Sequence, residues 1–199
     1  NAVYRARVSQ DFNFSIGANF STYKNKIVKL PDPGYVDESP RRFEDGYPIG
    51  SFFGYKVLGV FKDQKDVDDY AEQQDAAPGR WKYLDANGDG KINDADRVHY
   101  GNTNPDFTVG LNLNAGYKNF DFSALFYSAQ GQDVYNNTLD FLGSWERGVS
   151  NKSKIVLDAW SETNPNGTWK KAETIKNFSN SSVPNSAFVE KGSYVRLRN

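Results

Sequence analysis

The sequence predicts an all-β fold of antiparallel strands of the transmembrane β-barrel kind, and three observations carry that prediction. Apolar and polar residues alternate with period two over stretches of about ten residues, the length a tilted barrel strand needs. The apolar positions of those stretches are rich in aromatics, in a chain of 199 residues that is 15% Phe, Trp and Tyr. Between them run two long excursions rich in Pro, Gly, Asn and Asp, the composition of surface loops. The mean hydropathy of −0.73 does not oppose this reading, because lipid-facing and lumen-facing residues cancel in any averaging window.

The same composition excludes other classes. No apolar run approaches the roughly 18 to 20 residues of a membrane-spanning helix. With 24 basic and 25 acidic residues and a net charge of −1, the chain lacks the basic footprint of a nucleic-acid partner or a polybasic membrane-surface segment. The absence of cysteine rules out a disulfide framework. A chain that begins at Asn1 reads as a piece of a longer protein.

From Tyr4 to Phe20 the even positions are Tyr4, Ala6, Val8, Gln10, Phe12, Phe14, Ile16, Ala18 and Phe20, and the odd ones from Asp11 onward are polar or glycine. Either one very long strand or two strands divided by a turn at Ser9-Gln10-Asp11 satisfies this pattern. A strand is expected over at least Phe12 to Tyr23. Pro31 to Arg42, with Pro31, Pro33, Gly34 and Pro40, reads as a loop opening a long surface excursion over residues 31–106. Inside it, residues 54–62 are expected to form a strand and Asp63 to Gln74 a short exposed helix, stopped by Pro78-Gly79.

The clearest signal is a hairpin over residues 107–129. Phe107, Val109, Leu111, Leu113, Ala115 and Tyr117 alternate with Thr108, Gly110, Asn112, Asn114 and Gly116, and Phe120, Phe122, Ala124 and Phe126 continue the alternation after Lys118-Asn119. A two-residue connection is the natural hairpin turn. Residues 135–188 form a second long loop with an expected helix from Lys152 to Trp160, and residues 193–199 begin a further strand. In a barrel, Phe12, Phe14, Ile16, Leu111, Leu113, Phe122 and Phe126 would face lipid, and Asn13, Asn112, Asn114 and Ser123 the lumen.

Asp85-Ala86-Asn87-Gly88-Asp89-Gly90-Lys91-Ile92-Asn93-Asp94-Ala95-Asp96 follows the spacing of a calcium loop. Calcium takes six to eight hard oxygens, so Asp85, Asn87 and Asp89 are expected to give side-chain oxygens and Lys91 its carbonyl. Asn93 would act through water and Asp96 would close the site. The closing Glu of a helix–loop–helix site is Asp here and Pro78-Gly79 stands where an entering helix belongs, so the motif is a lone, dockerin-like loop. The competing reading is an Asn/Asp/Gly-rich turn that satisfies itself.

Nothing points to catalysis. His99 is the only histidine, and the adjacent acids Asp68-Asp69 and Glu44-Asp45 lack the facing separation that glycosidase chemistry needs. Trp145, Trp160 and Trp169 lie outside the clear strands and are expected to pack within folded loops, stacking on a sugar or gripping a partner being the weaker alternative.

Pro48-Ile49-Gly50-Ser51-Phe52-Phe53-Gly54-Tyr55 followed by Gly59-Val60-Phe61 resembles a box of the SusC/RagA family of TonB-linked outer-membrane proteins. The order continues as in that family through Ala77-Pro78-Gly79, the acidic loop, Asn104-Pro105-Asp106-Phe107, Gln130-Gly131-Gln132-Asp133-Val134-Tyr135-Asn136 and the run from Phe188 to Asn199. It departs at Arg80, where the family more often has an acid. The resemblance implies a Gram-negative outer-membrane barrel of roughly 22 strands with a plugged lumen. It further implies long surface loops with short helices, a wall formed by residues 54–62 with the paired strands, a SusD-like lipoprotein partner, and TonB acting through an upstream plug. Import of oligosaccharides, glycans or peptides follows as the expected function. The alternative is a calcium-stabilised secreted β-rich glycan-binding module.

Overall fold

The computed structural model describes residues 1–148, 150–180 and 183–198. In chain order the strands are β1 (Ala2–Arg7), β2 (Phe12–Ser21), β3 (Tyr35–Glu38), β4 (Arg41–Glu44), β5 (Ser51–Gly54) and β6 (Val57–Val60). A five-residue helix α1 (Gln64–Asp68) precedes β7 (Glu72–Gln73), β8 (Trp81–Tyr83), β9 (Lys91–Ile92) and β10 (Val98–Asn102). The long strands β11 (Phe107–Tyr117) and β12 (Phe120–Gln130) follow, then β13 (Asp133–Tyr135), α2 (Asn137–Leu142), β14 (Val189–Lys191) and β15 (Tyr194–Leu197). Among the described residues no helix is long and apolar enough to cross a membrane, which says nothing against strands that do.

The alternating stretches assemble into one five-stranded antiparallel sheet in the order β1-β2-β11-β12-β15. The turn at Ser9-Gln10-Asp11 is real: Val8 N–H donates to Phe12 O at 2.9 Å, and Ser9 Oγ accepts from Asp11 N–H at 3.2 Å. At the second tight turn Lys118 adopts φ +52°, the left-handed conformation that two-residue hairpin connections demand. Its N–H donates to Asp11 O at 2.9 Å, tying the two turns together at one end of the sheet.

The excursions between β2 and β11 and between β12 and β15 are not slack loops. They fold into one body around Tyr55, Val60, Trp81, Tyr83, Ile92, Trp169 and Phe188, with residues from both excursions interleaved. Trp81 meets Trp169 edge-on at 5.2 Å between ring centroids, and Tyr55 stacks on Tyr83 at 5.1 Å, geometries aromatic pairs favour. Backbone bonds stitch the excursions directly: Trp81 N–H to Ser179 O at 2.8 Å, Lys171 N–H to Gly79 O at 2.7 Å, and Tyr55 N–H to Pro184 O at 2.9 Å. Gly79 is required there, because at φ +80° a Cβ would stand 2.4 Å from the Trp160 ring.

Structure and sequence expectation differ in the first excursion. Residues 31–42 are not wholly loop, since Tyr35–Glu38 and Arg41–Glu44 pair as a hairpin. Pro33 and Pro40 lie outside that ladder and so cost it no donors. Of the expected strand over 54–62 only Val57–Val60 forms a strand of more than one residue, β6, which pairs with β8, while Gly54 is the last residue of β5, which pairs with β10 and β4 in a different sheet. The break follows Gly54 at φ +155°, and Gly59 at φ +141° sits inside β6 at a register irregularity against β8. Neither piece joins the five-stranded sheet, so this segment belongs to the loop body rather than to the wall.

The helix expected over Asp63 to Gln74 closes after Asp68, and residues 72–73 are strand. The one expected from Lys152 to Trp160 is a 3-10 turn at Lys154–Asp158. The last expected strand spans Tyr194–Leu197, and its final residue, Asn199, lies outside the described residues.

Trp169 is 7% exposed and its indole N–H donates to Gly143 O at 2.8 Å. Trp169→Ala is expected to cost the loop body about 3–5 kcal/mol. Hydrogen exchange on the intact protein should show protection lost in both excursions, with the long strands unchanged.

Candidate functional site

Register decides what each face of the five-stranded sheet presents, because residues directly opposite across antiparallel strands share a face. Leu113 stands opposite Ile16 and Ala124, Ala115 opposite Phe14 and Phe122, Leu111 opposite Ala18 and Phe126, and Tyr117 opposite Phe12 and Phe120. All seven residues expected on the apolar side (Phe12, Phe14, Ile16, Leu111, Leu113, Phe122 and Phe126) therefore lie on one face. Tyr4, Val195 and Leu197 extend it at either edge. Asn112 stands opposite Gly17, Asn114 opposite Ser15 and Ser123, and Gly116 opposite Asn13, so the four expected lumen residues share the other face.

The apolar face is uncovered: Phe20 is 62% exposed, Phe122 60% and Val195 71%. Its rings gather toward the two ends of the strands. Phe12 lies 6.4 Å from Tyr117 and 6.0 Å from Phe14, while Phe20 stacks on Phe107 at 5.6 Å. Ile16, Ala18, Leu111, Leu113, Ala124 and the Phe126 ring lie between. From Phe12 to Phe20 a strand rises about 27 Å, or about 21 Å of height at a barrel tilt near 40°, close to the apolar band of outer-membrane barrels between its aromatic girdles.

The acidic loop closes on itself. Asp85 accepts from Gly88 and Gly90 N–H at 2.8 and 2.9 Å, one on each oxygen. Asn87 accepts from Asp89 N–H, and Asp89 from Lys91 N–H, both at 2.9 Å. Asn93 caps the short turn Asp94–Asp96 by accepting from Ala95 N–H, and its amide reaches Lys91 O at 3.3 Å. Asp96 is fully buried and accepts from Ala86 and Asn93 N–H at 2.9 and 2.8 Å. Gly88 and Gly90 take φ +73° and +82°. Among the described residues no three His, Cys, Asp or Glu side chains stand together at metal-holding spacing. The donors are nonetheless all hard oxygens, the set calcium takes, and those of Asn87 and Asp89 are exposed.

A second functional element was not legible in sequence: the polar clamp between the excursions. Arg80 grips Glu173 with Nε at 2.9 Å and an Nη at 2.7 Å, across 93 residues of sequence. Asp133, 8% exposed, accepts from Asn102 N–H at 3.1 Å and from Lys191 Nζ at 2.9 Å, fastening the neck where the loop body joins the sheet. Lys170 and Glu146, each 2% exposed, pair inside the second excursion, and burial pulls the Lys170 ammonium below its ordinary range against the pull of Glu146. Only a three-dimensional neighbour distinguishes these residues from other solvated charges. Trp169 is buried, whereas Trp145 remains 40% exposed.

No protein-family model matches the chain. It is 37% identical over 211 residues to TonB-dependent receptor P3 of Formosa agariphila, covering 96% of this chain and 19% of that receptor. It is 28% identical over 160 residues to TonB-dependent receptor SusC of Bacteroides thetaiotaomicron, covering 78% of this chain and 15% of that one. The fold matches the RagAB peptide importer in its closed-closed state with a TM-score of 0.72 and 22% identity, over 98% of this chain and 21% of that chain. The chain thus spans about a fifth of the length of the first of these receptors.

The clamp yields a pH dependence of known sign. Burial raises the Glu173 carboxyl, but hydrogen bonds from Arg80 and Lys171 outweigh it and hold the group below its ordinary value of 4.5. A depressed carboxylate contributes its stability fully above that ordinary value and loses it as pH falls through the depressed one. Amide exchange corrected for intrinsic rates should accelerate near residues 75–80 and 171–178 as pH drops below 4.5, and Glu173→Gln should flatten that dependence.

Proposed function

The chain belongs with the SusC/RagA-like TonB-dependent receptors, and from that premise we propose that it supplies consecutive wall strands and a folded loop body to a Gram-negative outer-membrane importer. The observation that carries this reading is the single register placing Phe12, Phe14, Ile16, Leu111, Leu113, Phe122 and Phe126 on one uncovered face. In water such a face is a liability; in a bilayer it is the outer wall. The polar face with Asn13, Asn112, Asn114 and Ser123 then lines the lumen. The edge strands β1 and β15 each offer one unpaired side for neighbouring strands of a closed barrel.

The cargo is an oligosaccharide, a glycan or a peptide. RagAB is a peptide importer and SusC a TonB-dependent receptor, which supports import across the outer membrane without choosing among these cargoes. The loop body is the surface on which a SusD-like lipoprotein would sit, and energy would come from TonB acting through a plug outside this segment. The relatives are receptors and importers, and the chain carries no catalytic role in this reading.

We also propose that the loop from Asp85 to Asp96 binds calcium through Asp85, Asn87, Asp89, the Lys91 carbonyl, Asn93 and Asp96, each an oxygen donor at the required spacing. Bound there, the ion would stiffen the connection between β8 and β10 and have no part in moving cargo.

Leu113→Arg, near the middle of β11, is expected to cost about 2–4 kcal/mol of membrane stability, measured as a lower folded fraction in bilayer refolding titrations. Asn114→Arg, one residue on, should cost far less; equal penalties would reverse the assignment of faces. Asp85→Ala with Asp89→Ala should abolish calcium uptake in a calorimetric titration while leaving insertion intact, and an unchanged titration would refute the ligand set.

A further inference from the structure

Against the small sheet β10-β5-β4-β3, arginine side chains and rings are packed together. The Arg42 guanidinium lies between Tyr35 and Phe53, at 4.1 and 3.8 Å from their centroids. His99 lies between Phe53 and Tyr47, at 4.9 and 3.7 Å. The Arg97 guanidinium also lies over Phe53, 4.7 Å from its centroid. The stack lines an open cavity of about 390 Å³.

A charge inventory of that cavity leaves one group unspent. Asp37 is engaged by Arg42 in a two-point contact at 2.6 and 2.9 Å. Glu44 faces His99 Nε2 at 3.0 Å, and Asp94 accepts from the Tyr55 hydroxyl at 3.1 Å. Arg97 has no such contact: its nearest carboxylate, Asp37, is 3.9 Å away, beyond hydrogen-bond reach, and its Nε is buried without a partner. A guanidinium set over a ring at a cavity wall, whose Nη groups give no hydrogen bond, is pre-organised for a planar two-oxygen acceptor.

We propose that Arg97, backed by Phe53 and flanked by Tyr47, forms a subsite for a carboxylate group. The ligand is an acidic sugar or an acidic peptide side chain, bound through the guanidinium fork with its body against the exposed Tyr47 ring. Two arginines against Asp37, Glu44 and Asp94 leave no net positive field, so the fork rather than bulk charge does the selecting, and affinity should depend only weakly on salt. The inference goes beyond the importer reading, because it concerns binding at equilibrium and not transport.

The test is equilibrium binding by the intact receptor in detergent of D-glucuronate against D-glucose, and of N-acetylglutamate against N-acetylglutamine. Each carboxylate probe should bind about tenfold or more tightly than its neutral counterpart, the scale of one charge-assisted hydrogen bond. A preference in the sugar pair alone assigns an acidic sugar, and one in the peptide pair alone an acidic side chain. Arg97→Gln should erase the preference and Arg97→Lys should keep only part of it, with unchanged circular dichroism showing that both variants fold. No preference in either pair, or one that survives Arg97→Gln, would overturn the subsite. A full preference in Arg97→Lys would overturn the fork geometry. Failure of the intact receptor to import any cargo, with probe binding intact, would count against the importer reading and leave the subsite standing.

Discussion

The constraint on which the rest of the structure depends is the register of β2 against β11 and of β11 against β12. Because side chains alternate with period two, a slip of one residue would carry Phe14, Leu113 and Phe122 to the polar face and Asn13, Asn114 and Ser123 to the apolar one. The tight turn at Lys118-Asn119 holds the second of these registers, and the bond from Lys118 N–H to Asp11 O, next to the start of β2, supports the first. Strand length, aromatic placement and facing then follow from one alignment rather than from three separate preferences.

At the opposite end of the sheet the chain does something loops of this length seldom do. Two excursions, each without an extended ladder, complete one another's core through Trp81, Tyr83, Trp169 and Phe188. Their backbones exchange hydrogen bonds, and buried Gln73 satisfies Trp81 O, Ser179 Oγ and Tyr83 N–H at once. A polar side chain at 6% exposure is tolerable only when its donors and acceptors are met in this way. A loop body with its own core moves as a unit and presents fixed side chains outward, as a surface that must recognise something requires.

Much of the site was legible because its signal is local. The alternation of Phe107 to Tyr117 with Phe120 to Phe126, and the turn between them, need only neighbours in sequence, and so does the self-capping of Asp85, Asn87 and Asp89. The segment from Gly54 to Phe61 shows where local reasoning ends. Its apolar run suggests one strand, but whether glycine continues a strand or breaks it depends on what approaches. At Gly54 the approaching group is the Pro184 carbonyl, 2.3 Å from where a Cβ would stand.

By itself, the sequence determined the strand class and the two faces, since each rests on period-two alternation and turn chemistry within a dozen residues. Only the tertiary structure decided that the excursions share a core, that Arg80 meets Glu173, and that Arg97 is left with its donors unused. Those facts come from groups brought together across 93 residues in one case and between β3 and the turn before β10 in the other. A charged side chain carries the same letter whether it is solvated, paired or waiting for a ligand, and its surroundings alone separate the three.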